Sequence, residues 1–206
     1  MRPFVVKQTF RIKGTLFFPG DKSIAHRSII ISAISCGKTR IENFPANKDC
    51  LHTLEAFKKF GIKINAQQSG QSKQNSLIVN VFGKGLYGLH KPKHPVFVGD
   101  SGTTLRLILG VLAGQNFQTK LIAGKSLIHR PMLRVNQPLR MMGAHVNSKT
   151  QTFGSRREEY PPITIKGGNL KPIAYTMPVA SAQVKSAILL AGLYAKGRTC
   201  LKEPTA

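Results

Sequence analysis

One motif recurs three times along this chain at a nearly constant interval. Thr39, Thr119 and Thr199 are spaced by 80 residues each time, and Arg27, Arg106 and Lys185 by 79. In every copy a loop of small polar residues opens an apolar helical run, which passes through a turn into a strand. The loops are Asp21-Lys22-Ser23, Asp100-Ser101-Gly102-Thr103-Thr104 and Val179-Ala180-Ser181-Ala182-Gln183. The runs are Ile24 to Ile34, Leu107 to Leu112 and Ser186 to Leu193. The strands begin near Gly37, Gln118 and Gly197. A repeat this long is a supersecondary unit, and such units bury their apolar faces by packing on one another.

The rest of the unit recurs as well. Asp49 to Phe60 carries Leu51, Leu54 and Phe57 on one helical face and ends at Gly61. Pro131 to Met142 carries Val135, Leu139 and Met142 and ends at Gly143. Strands follow each: Ile62 to Ile64 with Ser76 to Phe82, and His145-Val146 with Ile163 to Ile165. Arg11 to Phe18 reads as the strand that opens the first copy. The unit is therefore β-α-β-α-β-β, an α/β fold. The polar segments 66–75 and 147–160 read as hairpin loops. The third copy holds its first helix and strand and then reaches Glu203-Pro204-Thr205-Ala206, so the third unit reads as truncated.

The first loop also carries chemistry. Pro19-Gly20 is a turn pair, so Lys22 and Ser23 fall at a helix start, where free N–H groups and the helix dipole favour anions. Arg27 lies four residues beyond Ser23 on the same face. A lysine, a hydroxyl and an arginine at one point suit a phosphate or a carboxylate. An ordinary capped helix with solvated charges fits these residues equally well. Asp49 reads as a helix N-cap, His26 as a packing or hydrogen-bonding residue, and Ser181 and Gln183 as capping residues.

The balance of 31 Lys and Arg against 8 Asp and Glu gives a net charge of +23. Such an excess raises the question of a nucleic-acid partner. The basic residues are spread along the whole chain, however, and with no Trp and 4 Tyr there is little to stack bases on. A nucleic-acid partner is not expected. Cys36, Cys50 and Cys200 have no metal-ligand spacing and read as reduced thiols of a cytoplasmic protein. No metal is expected, nor any membrane role, because the N-terminus lacks a signal-peptide core and no apolar run is long enough to span.

With these loops in view, the chain resembles the 5-enolpyruvylshikimate-3-phosphate synthase (EPSP synthase) family of enolpyruvyl transferases. The resemblance rests on Pro19-Gly20-Asp21-Lys22-Ser23-Ile24-Ala25-His26-Arg27, Ser101-Gly102-Thr103-Thr104-Leu105-Arg106, His129-Arg130-Pro131-Met132 and Val179-Ala180-Ser181-Ala182-Gln183-Val184-Lys185-Ser186-Ala187. It implies an inverse α/β barrel domain of three such units, one of two domains that enclose a cleft. Residues 1–12 would belong to the partner domain, and 13–206 to the first domain, incomplete at its C-terminus. The implied reaction moves the enolpyruvyl group of phosphoenolpyruvate to the 5-hydroxyl of shikimate 3-phosphate and releases phosphate. No cofactor is implied.

The resemblance also assigns roles. Lys22 would contact phosphoenolpyruvate near the reacting hydroxyl, as the catalytic lysine. Lys22, Ser23, Arg27, Ser181 and Ala182 would hold shikimate 3-phosphate. Lys22, Gly102, Arg130 and Gln183 would hold phosphoenolpyruvate, with Gly102 also leaving room for the inhibitor glyphosate, which predicts sensitivity to it. Asp49, Asp100 and Thr103 are possible supporting residues. Asp100 stands where the family usually has Asn, which puts a carboxylate beside an anion site. Lys125 stands where an acidic residue is common. Further site residues would lie in the missing second domain, supplied in cis or in trans, so the chain is expected to be inactive alone. The related amino-sugar transferase, a basic nucleic-acid-binding protein on the same fold and an inactive remnant are the alternatives.

Overall fold

The structure is a computed structural model that describes residues 13, 18, 20–69 and 76–204. The expected opening strand, 11–18, and the expected partner-domain strand, 1–12, fall outside the described residues apart from Lys13 and Phe18. The elements in order are α1 (Lys22–Ile34), β1 (Cys36–Pro45), α2 (Lys48–Lys59), β2 (Lys63–Gln68), β3 (Ser76–Lys84), β4 (Val96–Phe97), α3 (Gly102–Leu112), β5 (Gln118–Ile122), α4 (Leu133–Met141), β6 (His145–Phe153), β7 (Arg156–Lys166), β8 (Ala174–Thr176), α5 (Ala182–Gly192) and β9 (Cys200–Lys202). A 3-10 turn, Leu127–His129, lies between β5 and α4.

The repeat is visible in the strand pairing. The first sheet has the order β1-β3-β2, and the second has β4-β5-β7-β6, so β5-β7-β6 repeats the first sheet. The parallel pairing of Val96 with Leu121 recurs in the pairing of Tyr175 with Leu201, so β4–α3–β5 and β8–α5–β9 are the same crossover. This is the mixed α/β architecture of repeated units that the sequence predicts.

Apolar content sorts the helices into two kinds. Nearly all of α3 is buried, including Leu105, Leu107, Ile108, Leu109, Val111 and Leu112. It runs through the core against α1, α2 and α5, with β7 also in contact. Such all-round burial suits a helix enclosed by others. By contrast, α2 and α4 bury one stripe each: Leu54 and Phe57 in α2, and Val135 and Leu139 in α4. Each is followed by a glycine in the left-handed region, Gly61 at φ 85° and Gly143 at φ 108°, which a side chain would strain.

Two sequence expectations change. Asn47, not Asp49, caps α2: its side chain accepts from the Cys50 N–H at 3.0 Å. Segment 147–160 is no loop but most of a long β6–β7 hairpin, with its turn at Gly154-Ser155. Its outer half projects past the core, so both faces are polar and the apolar alternation that marks a strand is missing.

Candidate functional site

The N-termini of α1, α2, α3 and α5 are tied together by side chains, so these helices end in one region. All four are capped by the residue just before the helix, α2 by Asn47. The carboxylate of Asp21 accepts from Ile24 N–H at 2.7 Å, Ser101 from Thr104 N–H at 3.2 Å, and Ser181 from Val184 N–H at 3.4 Å. Capping leaves the neighbouring N–H groups and the positive ends of the dipoles directed at this region.

On one side, a buried row of polar groups joins α1, α2 and α3. His26 Nδ1 lies 2.6 Å from Thr53 Oγ1, which lies 2.6 Å from Thr104 Oγ1. Thr104 in turn donates to Ser101 Oγ at 2.8 Å. Burial, reinforced by the charge of Lys22, pushes the His26 imidazole down to about 4. A neutral, enclosed ring of this kind is a structural hydrogen-bonding residue, as expected of His26. Above this row, the Lys22 ammonium pairs with the Asp49 carboxylate. Asp49 therefore serves the site through its charge and not as a cap.

On the other side, Gln183 joins α3 to α5. Its Oε1 accepts from Arg106 Nη1 at 2.6 Å, and its Nε2 donates to Thr103 Oγ1 at 2.9 Å. It is therefore a bridge and not a capping residue. Arg106 also donates to the Pro131 carbonyl at 3.2 Å, just after Arg130. Arg27 donates to Ser186 on α5 at 2.8 Å and to the Ser23 carbonyl at 3.1 Å. Lys185 pairs with Glu203 at 2.9 Å and so faces a local partner, as Arg106 does.

Positive charge concentrates above Gly102. A Cβ placed there would lie 2.7 Å from Arg106 Nη1 and 3.5 Å from Arg130 Nη1. Burial, together with the nearby Arg134 and Arg130 charges, lowers the Arg106 guanidinium. Like charges held this close favour an anion between them. Asp100 lies close enough for the Arg130 charge to act on its carboxylate. Its Oδ1 accepts from Ser126 N–H at 2.8 Å and Leu127 N–H at 3.0 Å, and these bonds, that from Leu127 foremost, keep its carboxyl below the usual range. Asp100 thus pins the turn that leads into Arg130.

The structure brings Lys22, Ser23, Asp49, Gly102, Thr103, Arg130, Ser181 and Gln183 to this end of the helices, with Arg27 one turn along α1. Ala182 is the first residue of α5 and lies exposed. Lys125 is exposed in the loop that Asp100 holds. Among the described residues no group of His, Cys, Asp and Glu could hold a metal, and no helix is long and apolar enough to cross a membrane.

Three residues escaped the sequence reading. Thr53 and Thr104 look like ordinary helix threonines, and only the packing of three helices reveals that they meet. Glu159 is buried beneath the start of α4, where it accepts from Asn136 Nδ2 at 2.7 Å, Arg140 Nη1 at 2.8 Å and Ser148 Oγ at 2.8 Å. Burial alone would raise this carboxyl, but those bonds overcome it and bring it down to about 2. Its backbone carbonyl also accepts from Met132 N–H at 2.8 Å, which fixes the segment carrying Arg130.

Comparison with known proteins agrees with this arrangement. Residues 6–206 match the family model described as EPSP synthase (3-phosphoshikimate 1-carboxyvinyltransferase). A curated 3-phosphoshikimate 1-carboxyvinyltransferase from Enterococcus faecalis is 50% identical over 193 residues, which are 93% of this chain and 42% of that protein. The enzyme of that name from Bacillus cytotoxicus is 48% identical over 94% of this chain and 42% of its own length. The solved EPSP synthase of Acinetobacter baumannii superposes with a TM-score of 0.80 at 43% identity, covering 94% of this chain and 41% of that one. The enolpyruvyl transferase NikO from Streptomyces tendae shares the fold alone, with a TM-score of 0.61 at 16% identity. The chain spans less than half the length of these relatives.

Proposed function

The chain belongs to the EPSP synthase family, and from that premise we propose that it forms one wall of a site that transfers the enolpyruvyl group of phosphoenolpyruvate to the 5-hydroxyl of shikimate 3-phosphate. The observation that carries this reading is the joining of the α1, α3 and α5 N-termini around Lys22, Gly102, Arg130 and Gln183. Both substrates are polyanions, and three helix ends with several cations suit them.

In this reading shikimate 3-phosphate lies along α1 and α5. Ser23 and Arg27 take its carboxylate, and Ser181 with the Ala182 N–H takes its phosphate. Arg27 already reaches α5 through Ser186, which orients its fork. Phosphoenolpyruvate lies over Gly102, with Arg130 on its phosphate and Gln183 beside it. Lys22 stands between the two. The 5-hydroxyl loses its proton as its oxygen bonds to C2 of phosphoenolpyruvate, and C3 gains a proton as the C2–C3 double bond opens. The tetrahedral intermediate then loses phosphate, and C3 gives up a proton to restore the double bond. Lys22, charged and held by Asp49, stabilises the charge that develops. Glyphosate would share the space over Gly102, and a methyl there would press on Arg106. The remaining site residues would come from the rest of the family fold, and the enzyme would act in the cytoplasm.

The test is phosphate release from shikimate 3-phosphate and phosphoenolpyruvate. It is run with this chain alone and with the unmatched remainder of the Enterococcus faecalis relative added. Turnover is expected only with both parts present, and Lys22→Ala is expected to lower it about 100-fold or more. A folded wild-type pair that releases no phosphate would overturn the reading.

A further inference from the structure

A second cationic recess lies at the opposite end of the central layer. It is a cleft of about 400 Å³ lined by Lys91, Lys93, His94, Gln118, Thr119 and Lys120, with prolines 92 and 95 and Thr164 completing it. The β4 strand begins just after Pro95 and ends near Asp100, and β5 runs parallel to it from Gln118 towards Gly124. The cleft is therefore one strand length, ~16 Å, from the helix ends that carry Gly102 and Arg130. It shares no residue with the site above.

Two features make this more than a patch of surface lysines. Lys91, Lys93 and Lys120 line one recess, and none of them has an ion pair or hydrogen bond among the described residues. No carboxylate lines it. Three ammonium groups sharing a recess repel one another, and an anion would turn that repulsion into attraction. Next, Pro92 and Pro95 flank Lys93, and their fixed φ angles order the lysine-bearing segment before any ligand arrives.

We infer that this cleft binds a compact phosphate-bearing anion through Lys91, Lys93 and Lys120. Lysine is a point charge with three rotatable donors, which suits a multiply charged phosphate more than a flat carboxylate. The recess has room for a small molecule and carries no Phe, Tyr or Trp in its lining, so a stacked single strand is the poorer fit. This assignment does not depend on the proposed transferase activity.

Inorganic pyrophosphate is the probe, titrated into the isotope-labelled 206-residue chain at constant ionic strength while amide resonances are followed. Saturable shifts are expected at Lys93 to Phe97 and at Gln118 to Leu121, separable from those at Gly102 and Gln183. The triple variant Lys91→Gln, Lys93→Gln, Lys120→Gln should weaken binding at the cleft by about tenfold or more. These side chains are exposed, so the fold should persist, and unmoved resonances elsewhere would show it. Shifts of equal size beside lysines all over the surface, or shifts confined to Gly102 and Gln183, would overturn the assignment. So would an affinity for a short single-stranded oligonucleotide well above that for pyrophosphate, which would make the face a nucleic-acid surface.

Discussion

Helix α3 meets its two neighbours by opposite means. Against α5 the contact is one of shape. Gly110 comes so close to Ala187 that a Cβ would fall 2.2 Å from the Ala187 carbonyl oxygen, amid the buried Leu107, Val111, Ile188 and Ala191. Towards α1 the link is directional, a row of hydrogen bonds from His26 through Thr53 and Thr104 to Ser101. Apolar packing sets how near two helices lie but says little about sliding along their axes. Hydrogen bonds set the axial position as well. The polar row sits beneath Lys22 and Asp49, where the axial position decides whether side chains from different helices share one anion.

The largest effect should come from closing the gap between α3 and α5. Gly110→Val forces the helices apart along their length and should cost about 3 kcal/mol or more. The denaturant midpoint measures this. A loss no larger than that of an exposed substitution would mean that shape does not set this seam.

The polar seam should show itself through pH. His26 has an ordinary value of 6.5 and is held down to about 4 in the folded chain. Between these values the unfolded chain binds a proton that the folded chain refuses. The stability of the folded state is therefore intact above about pH 6.5 and falls as pH drops towards 4, by up to about 3 kcal/mol. His26→Gln retains a partner for Thr53 and does not titrate, so its stability should change less over that range. Glu159, held near 2 against an ordinary 4.5, loses its contribution from about pH 4.5 downward, but equally in both chains, so it cancels from the comparison. Parallel pH profiles for wild type and variant would count against a neutral buried His26.

Thr104→Val attacks the middle of the same row. It keeps the shape but leaves Thr53 and Ser101 short of a partner, at a cost of about 2 kcal/mol. Because the row aligns the helix ends, shikimate 3-phosphate binding should weaken as well. A stability loss with unchanged binding would separate folding from alignment.

Much of this comparison was legible in the sequence on the side of shape. The interval of the repeat predicts which helices are equivalent, and the apolar run of α3 predicts a buried helix. Strand order follows once the units are matched. The directional half was hidden. Nothing local marks Thr53 or Thr104, since helix threonines normally bond back to their own turn, and their partners are 27 and 51 residues away from Thr53. Asp49 shows the same limit: next to Asn47 it looks like a cap, and only the packing of α1 on α2 gives its carboxylate Lys22. Gln183 is legible as a helix-start residue, yet its two partners, Arg106 and Thr103, come from the preceding unit. The β6–β7 hairpin was misread because its outer half has no core to face.

The third seam, between α1 and α5, sharpens the comparison by having neither device in full. Arg27 and Ser186 bridge it at one point, and beside them an apolar groove of about 390 Å³ runs along Ile30, Ile31, Ile34, Leu189, Leu190 and Leu193. Leu189 and Leu193 are about half exposed, at 49% and 55%. The α1–α2 and α4–α5 contacts cover corresponding flanks of the other seams, but no described helix lies here. A half-exposed leucine has little burial to lose, so Leu193→Lys should change the stability of this chain by no more than about 0.5 kcal/mol. The same change should matter when the remainder of the Enterococcus faecalis relative is present, if the next helix of the repeat packs there as α2 and α4 pack on theirs. Reconstituted turnover should then fall in the variant while the stability of the isolated chain stays level. A large loss in the isolated chain would show that the groove is already filled, and the third seam would then be closed by packing like the α3–α5 seam.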